Sequence, residues 1–154
     1  MTTITIAPGP TYPGARGAVY LPIVAVAPLD PVAVFYDLLL HDARQQRPRL
    51  TVCKTLEVGA AWKAADIVAN DYWSHRAHNG EYANETARRF CASLSPDYGP
   101  GWNGVESLVA GSEDAAIMFN ALAESPSHRV HLFGEVDFYR VQTHVGIAMA
   151  PGGR

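Results

Sequence analysis

Proline placement constrains this chain most. Six of its 11 prolines fall in the first 31 residues: Pro8, Pro10, Pro13, Pro22, Pro28 and Pro31. Proline fixes φ and donates no backbone hydrogen bond, so at this density helix is excluded and extended or polyproline backbone is favoured. Arg16 and Asp30 are the only charged side chains in the segment. Thr2-Thr3-Ile4-Thr5-Ile6 alternates like a short strand. Residues 18–27 are apolar and suit an edge strand interrupted by Pro22. The chain therefore divides into an extended arm over 1–31, a folded domain over 32–150 and a tail over 151–154. Proline-rich arms and glycine-rich tails fray unless something holds them. Residues 1–31 are expected either to pack on their own domain or to dock onto protein subunits of a larger assembly.

Residues 25–27, Ala-Val-Ala, imitate a secretion cleavage site. Pro22 interrupts the apolar run before it, Arg16 is the only basic residue ahead, and Pro28 follows the cut. No convincing signal peptide is expected on these grounds, which favours a component of an extracellular or virion-like assembly, or otherwise a cytoplasmic protein.

The remainder reads as alternating helices and loops. Asp30 caps and Pro31 opens a first helix expected to reach Gln46, with Val34, Phe35, Leu38 and Leu39 on its apolar side. Arg44, Arg47 and Arg49 read as a solvated cationic helix end. Thr55 is placed to cap an alanine-rich helix over Leu56–Asp71, whose row Leu56, Ala60, Lys63 and Ile67 lies along one face. Asn84 is placed to cap a short helix over Glu85–Ser93. Ser112 and Asp114 begin another that ends before Ser125-Pro126. Val130–Val136 and Tyr139–Met149 read as strands, the second by strict alternation of Val141, Thr143, Val145, Ile147 and Met149.

A hydrophobic content of 48 % suits a globular core, and a net charge of −3 from 12 basic and 15 acidic residues predicts no general affinity for nucleic acid. No apolar run approaches the roughly 20 residues of a membrane span. The two cysteines, Cys53 and Cys91, are too few for a disulfide scaffold; they read as free thiols or as a single bridge.

Chemistry-bearing residues cluster in three stretches: Tyr72-Trp73-Ser74-His75, Val105-Glu106-Ser107, and Ser125-Pro126-Ser127-His128-Arg129. Glu106 lies between Val105 and Leu108, where a carboxylate needs a partner or takes up a proton. The imidazoles of His75 and His128 are candidates; so are backbone N–H groups of a turn. His75/His78 and His128/His131 each have H-x-x-H spacing, which can present two imidazoles to zinc or copper. Neither pair carries the thiols or the HExxH of established zinc sites. His75 and His128 are the leading candidate metal ligands, with His78 and His131 behind them. Arg129 can clamp an anion or anchor backbone carbonyls. No phosphate loop or GxSxG nucleophile elbow is present.

These three stretches, in this order, resemble the CAP superfamily, the cysteine-rich secretory, antigen and pathogenesis-related (SCP-like) proteins, and most closely its compact bacterial branch. The likeness spans roughly residues 32–149. Tyr72-Trp73-Ser74-His75 is similar to the family's aromatic-aromatic-Ser-His, and Val105–Gly111 to its Gly-Glu-Asn-Ile-Ala-x-Gly. Residues 125–129 match its Ser-Pro-x-His-Arg. The resemblance implies an α+β fold: a three-layer α-β-α sandwich with a small, mainly antiparallel sheet. It implies a cleft lined by His75, Glu106, His128 and Arg129 that holds a divalent metal in some relatives, while others take lipids, sterols or protein partners. The chain departs from the pattern at Val105, Ser107 and Leu122, and carries His41 and Lys63 where relatives have Asn and His. No clear second cleft carboxylate exists; Glu124 is one place off. An altered supporting shell points away from catalysis. The expected function is a non-catalytic structural or adhesive module tied by residues 1–31 into a virion-, tail- or filament-like assembly. The alternatives are a metal-binding protein or metal-dependent hydrolase, with a divalent ion such as zinc held by His75 and His128 and Glu106 as general base, and an exported lipid-binding protein, a lipid or glycan being the ligand.

Overall fold

A computed structural model describes residues 29–90 and 94–151. The arm over 1–28, Cys91 with any bridge to Cys53, and the last three residues lie outside the described residues. Among the described residues, six helices and two strands run in the order α1 (Pro31–His41), β1 (Thr51–Val52), α2 (Lys54–Ala69), α3 (Ala83–Phe90), α4 (Ala115–Glu124), α5 (Pro126–Phe133), α6 (Asp137–Arg140) and β2 (His144–Val145). The domain is thus mixed helix and small sheet.

Local chemistry sets most helix starts. Asp30 accepts from the Val32 N–H at 3.0 Å and Pro31 occupies the first turn of α1. That helix stops at His41, short of Gln46, because Asp42 turns to extended backbone and its carboxylate accepts from the Arg44 N–H at 2.8 Å. α2 starts at Lys54 with Cys53 as its cap residue, so Thr55 lies inside the helix. α3 starts at Ala83: Glu85 reaches back to the Tyr82 N–H at 2.8 Å, and Asn84 is a buried helical residue instead of a cap. Asp114 caps α4 through the N–H groups of Ala116 and Ile117.

The largest departure is at 126–140. The expected strand Val130–Val136 is mostly helix α5, and Tyr139 and Arg140 belong to α6. Pro126 opens α5 and Gly134 closes it in the left-handed conformation (φ 66°), returning its N–H to the carbonyls of His131 and Val130. Strong start and stop signals override the strand preference of Val130.

The sheet is correspondingly reduced and of opposite sense to the mainly antiparallel one expected. Thr51 and Val52 pair in parallel with His144 and Val145. Two antiparallel neighbours need only a turn, but here the whole helical body separates the strands, a connection that suits parallel pairing. Of the expected strand Tyr139–Met149 only two residues pair. Its inward face is partly kept: Val145, Ile147 and Met149 pack on the core, while Val141 is 71 % exposed. Gly146 permits a close approach, since a Cβ there would stand 2.2 Å from the Leu56 carbonyl carbon.

The core joins α1, α4 and α5. Phe35 meets Phe119 edge-on at 5.5 Å between ring centroids, and Phe119 meets Phe133 at 6.1 Å. Leu39, Met118, Leu122 and Leu132 complete it. Each such side chain contributes about 1.5–3 kcal/mol on burial. α2 and α3 form a second pair, with Phe90 against Gly59 and 6.1 Å from the Trp62 ring. Among the described residues no helix is long and apolar enough to cross a membrane.

Candidate functional site

The loop after α2 and the loop before α4 bring His75 and Glu106 together. His75 Nδ1 lies 2.8 Å from Glu106 Oε1. A carboxylate accepts only, so Nδ1 carries the proton and the partly exposed Nε2 remains.

α2 fixes the His75 side from beneath. Asp66 accepts from the Tyr72 hydroxyl and, at 3.0 Å, from the His78 N–H. These two contacts straddle His75. Burial alone would raise the Asp66 pKa; the bonds from Tyr72 and the His78 amide, with the Lys63 charge, outweigh it and hold the carboxyl low. Burial, and then Asp66, raise the Tyr72 hydroxyl. Lys63 is 3 % exposed and donates to the Tyr72 oxygen at 3.1 Å. Burial lowers its pKa, opposed by the charges of Glu106 and Asp66.

On the other side, Glu106 sits in a loop without regular structure that is nonetheless densely bonded. The Asn103 side chain accepts from the Val105 and Glu106 N–H groups at 3.1 and 2.9 Å and donates to the Glu106 carbonyl at 2.8 Å. Asn84, fully buried, accepts from the Gly104 N–H at 2.8 Å. Of the partners expected for the Glu106 carboxylate, the His75 imidazole is the one that takes it; the backbone N–H groups of the turn donate to the Asn103 side chain instead.

His128 lies on α5 with Nδ1 2.8 Å from Ser125 Oγ. Burial lowers its pKa, and the charge of nearby His75 adds to this. Arg129 is exposed and pairs with Glu135 at 3.3 Å in place of a carbonyl anchor among the described residues. Arg47 takes that role. It is 8 % exposed, not a solvated helix end, and donates to the carbonyls of His131, Leu132 and Tyr139 at 2.6, 2.9 and 3.1 Å. His78 is exposed and lines an open groove with Tyr72, Ser74, Arg76, Ala77 and Gly80. His131 points elsewhere: Nδ1 is 2.7 Å from Ser107 Oγ and Nε2 is 3.1 Å from Gln142 Oε1. Burial, with the Arg47 charge, holds its pKa down at about 4.

No protein-family model matches the chain, and no curated protein or solved structure matches it either. What the site can do is therefore argued from its own groups.

Among the described residues no set of three or more His, Cys, Asp and Glu side chains is placed to hold a metal ion. A catalytic zinc takes three protein ligands. His75 and His128, with Glu106 turned onto His75, do not supply them, so the donor set does not fit such a centre. What the arrangement does is tie distant segments. α2, the 72–78 loop, the 103–107 loop, α5 and the 139–142 turn are cross-linked through Lys63, Asp66, His75, Glu106, His131 and Gln142.

Sequence reasoning missed Asp66 and Gln142, took Arg47 for a solvated cation, and noted Lys63 without giving it a partner. A signal existed for one. Lys63 stood on the same helical row as Leu56, Ala60 and Ile67, and a lysine in an apolar row needs a buried partner. For Asp66 and Gln142 nothing local distinguishes them from solvated polar residues.

Proposed function

We propose that this chain is a CAP-like domain of the α-β-α type that serves as a non-catalytic structural or adhesive binding module, with residues 1–31 tying it into a larger assembly such as a virion, tail or filament. The observation that carries the reading is the commitment of the polar groups in the cleft. Glu106 is bonded to His75, His128 to Ser125, Lys63 to Tyr72, and Asp66 to Tyr72 and the His78 amide. A general base must reach the proton it removes, and a carboxylate already holding an imidazole is poorly placed to activate water. Cross-linking of this kind suits a body that holds its shape while its surface and arm make contacts.

The composition of the arm supports the second half of the reading. A proline-rich segment with two charged residues loses less conformational entropy on docking than an ordinary chain, and meets little electrostatic cost against a neighbouring subunit.

Deleting residues 1–28, which leaves the Asp30-Pro31 helix start in place, is the test. Helix content and melting temperature should stay near those of the full chain, while incorporation into the native assembly is lost. Normal incorporation of the truncated chain overturns the proposal. Metal analysis of the purified protein separates it from the hydrolase alternative: stoichiometric zinc that disappears in His75→Ala would replace the structural reading with a metal-dependent one. Saturable binding of lipid vesicles or glycans, sensitive to the same substitution, would give the cleft a ligand without restoring catalysis.

A further inference from the structure

The geometry points to His131 and Gln142 as positioning residues that set where Glu106 stands. This rests on the reading of His75 and Glu106 as the centre of the cleft, and adds what aligns them.

The protons in this relay are determined by its ends. Gln142 Nε2 donates to the Gly104 carbonyl at 2.8 Å and to the Tyr98 hydroxyl oxygen at 3.1 Å. A carbonyl only accepts, so the amide nitrogen of Gln142 must face Gly104 and its oxygen must face His131. His131 Nε2, 3.1 Å from that oxygen, therefore bears the hydrogen. A neutral imidazole has one N–H, so Nδ1 is bare and accepts the Ser107 hydroxyl hydrogen at 2.7 Å. The low pKa imposed by burial agrees with a neutral ring.

The relay grips the 103–107 loop at two points, the Gly104 carbonyl and the Ser107 hydroxyl, which flank Glu106 on either side. It is anchored in turn. Arg47 holds the His131 carbonyl, and the Tyr139 ring lies 4.7 Å from the imidazole. Asn103 shapes the backbone of the loop from within, but it belongs to that loop and cannot place it relative to the rest of the fold. Asn84 and the His131–Gln142 relay can, because they belong to α3, α5 and the segment before β2. On the opposite side Asp66 grips the residues flanking His75 in the same way. The pair at 2.8 Å is thus held between two independent clamps.

The test is the tautomer of His75, read from the 15N shifts of its imidazole in the full chain at a pH where the ring is neutral. Free neutral imidazole of histidine favours Nε2–H; a carboxylate at Nδ1 reverses this. The wild type should show mainly Nδ1–H. His131→Leu should lower the Nδ1–H to Nε2–H ratio by about fivefold, the effect of weakening one net hydrogen bond. His131→Gln, which keeps an acceptor for Ser107 and a donor for Gln142, should restore it. Phe119→Leu, a core change away from the relay, should lower stability and leave the ratio alone. Should His131→Leu not fold, Ser107→Ala removes one bond of the relay without a large cavity and should shift the ratio in the same direction. A wild-type ratio in His131→Leu or, failing that, in Ser107→Ala overturns the positioning role alone. A wild type already dominated by Nε2–H overturns the His75–Glu106 pairing and the positioning role with it.

Discussion

Replacing Arg47 by Met tests whether a buried guanidinium holds the α5 end of the domain in place. Methionine keeps much of the apolar stem and removes all five donors. The lost bonds run to the carbonyls of His131, Leu132 and Tyr139 and to the Gln45 side chain. Two of those carbonyls lie in the last turn of α5, where a cation also complements the helix dipole. Hydrogen bonds involving a charged group are worth roughly 1.5–3 kcal/mol each when deleted. Three bonds to carbonyls would sum to more than twice that, but two effects reduce it. Removing the guanidinium relieves its desolvation, which also lowers its pKa in the native protein. Water can also reach part of the half-buried surface around His131 and Tyr139. The net expectation is a loss of about 3–4 kcal/mol. For a body of this size that is a fall of roughly 10–15 °C in melting temperature.

Arg47→Lys sharpens the test. It keeps the charge beside α5 but offers one compact ammonium that cannot span three carbonyls, so it should lose about half as much. Urea unfolding followed by circular dichroism measures both. Equal losses in the two variants would mean that the forked geometry carries the whole effect and the charge none, whereas no loss in Arg47→Lys would mean that charge alone matters. A loss below about 1 kcal/mol in Arg47→Met would refute the reasoning, since a residue that inexpensive to remove does not organise three segments.

Two more expectations concern single positions. His131 has a folded pKa of about 4 against an ordinary value of 6.5, so the unfolded chain binds the extra proton first. Its contribution is present above pH 6.5 and is lost as pH falls toward 4, on the order of 3 kcal/mol in all. His131→Gln should flatten that part of the pH–stability curve measured by urea unfolding; an unchanged slope between pH 6.5 and 4 would count against burial of a neutral ring. Gly146→Ala should prevent native folding or cost more than about 3 kcal/mol, because the new methyl would meet backbone atoms of Leu56 and Glu57 at 2.2 and 2.3 Å. A soluble variant with wild-type thermal unfolding would show that β2 does not sit against the start of α2.

Where chain chemistry is local, it could be read directly. Asp30 and Pro31 announce α1, and Asp114 with Ser125-Pro126 bounds α4 within a residue, because a cap and a proline act on their immediate neighbours. The same signals at Ser125, Pro126 and Gly134 were available for α5, yet a valine at either end of 130–136 suggested a strand. The error lies in weighing a propensity worth tenths of a kcal/mol above a first-turn proline and a left-handed glycine that together decide where a helix may run. Gln45 and Gln46 misled differently. They favour helix, but the Asp42 side chain captures the Arg44 N–H and ends α1 five residues earlier, at His41.

Charge burial was the least legible property, and the reason is geometric. Arg44, Arg47 and Arg49 are equivalent in sequence, three cations near a helix end. In space Arg44 turns back onto Asp42, whereas Arg47 meets the carbonyl-rich end of α5 more than 80 residues away. Nothing within a few residues of Arg47 encodes that meeting; it exists only once α5 is a helix whose last carbonyls need donors. Reading 130–136 as a strand therefore hid the partner and made Arg47 look solvated. The same logic joins Gln142 to His131. With strands of two residues each, the paired sheet adds few bonds between the halves of the domain. Lys63, Arg47, His75 and His131 supply connections that a wider sheet would otherwise make, so these polar side chains hold the fold together whatever else they do.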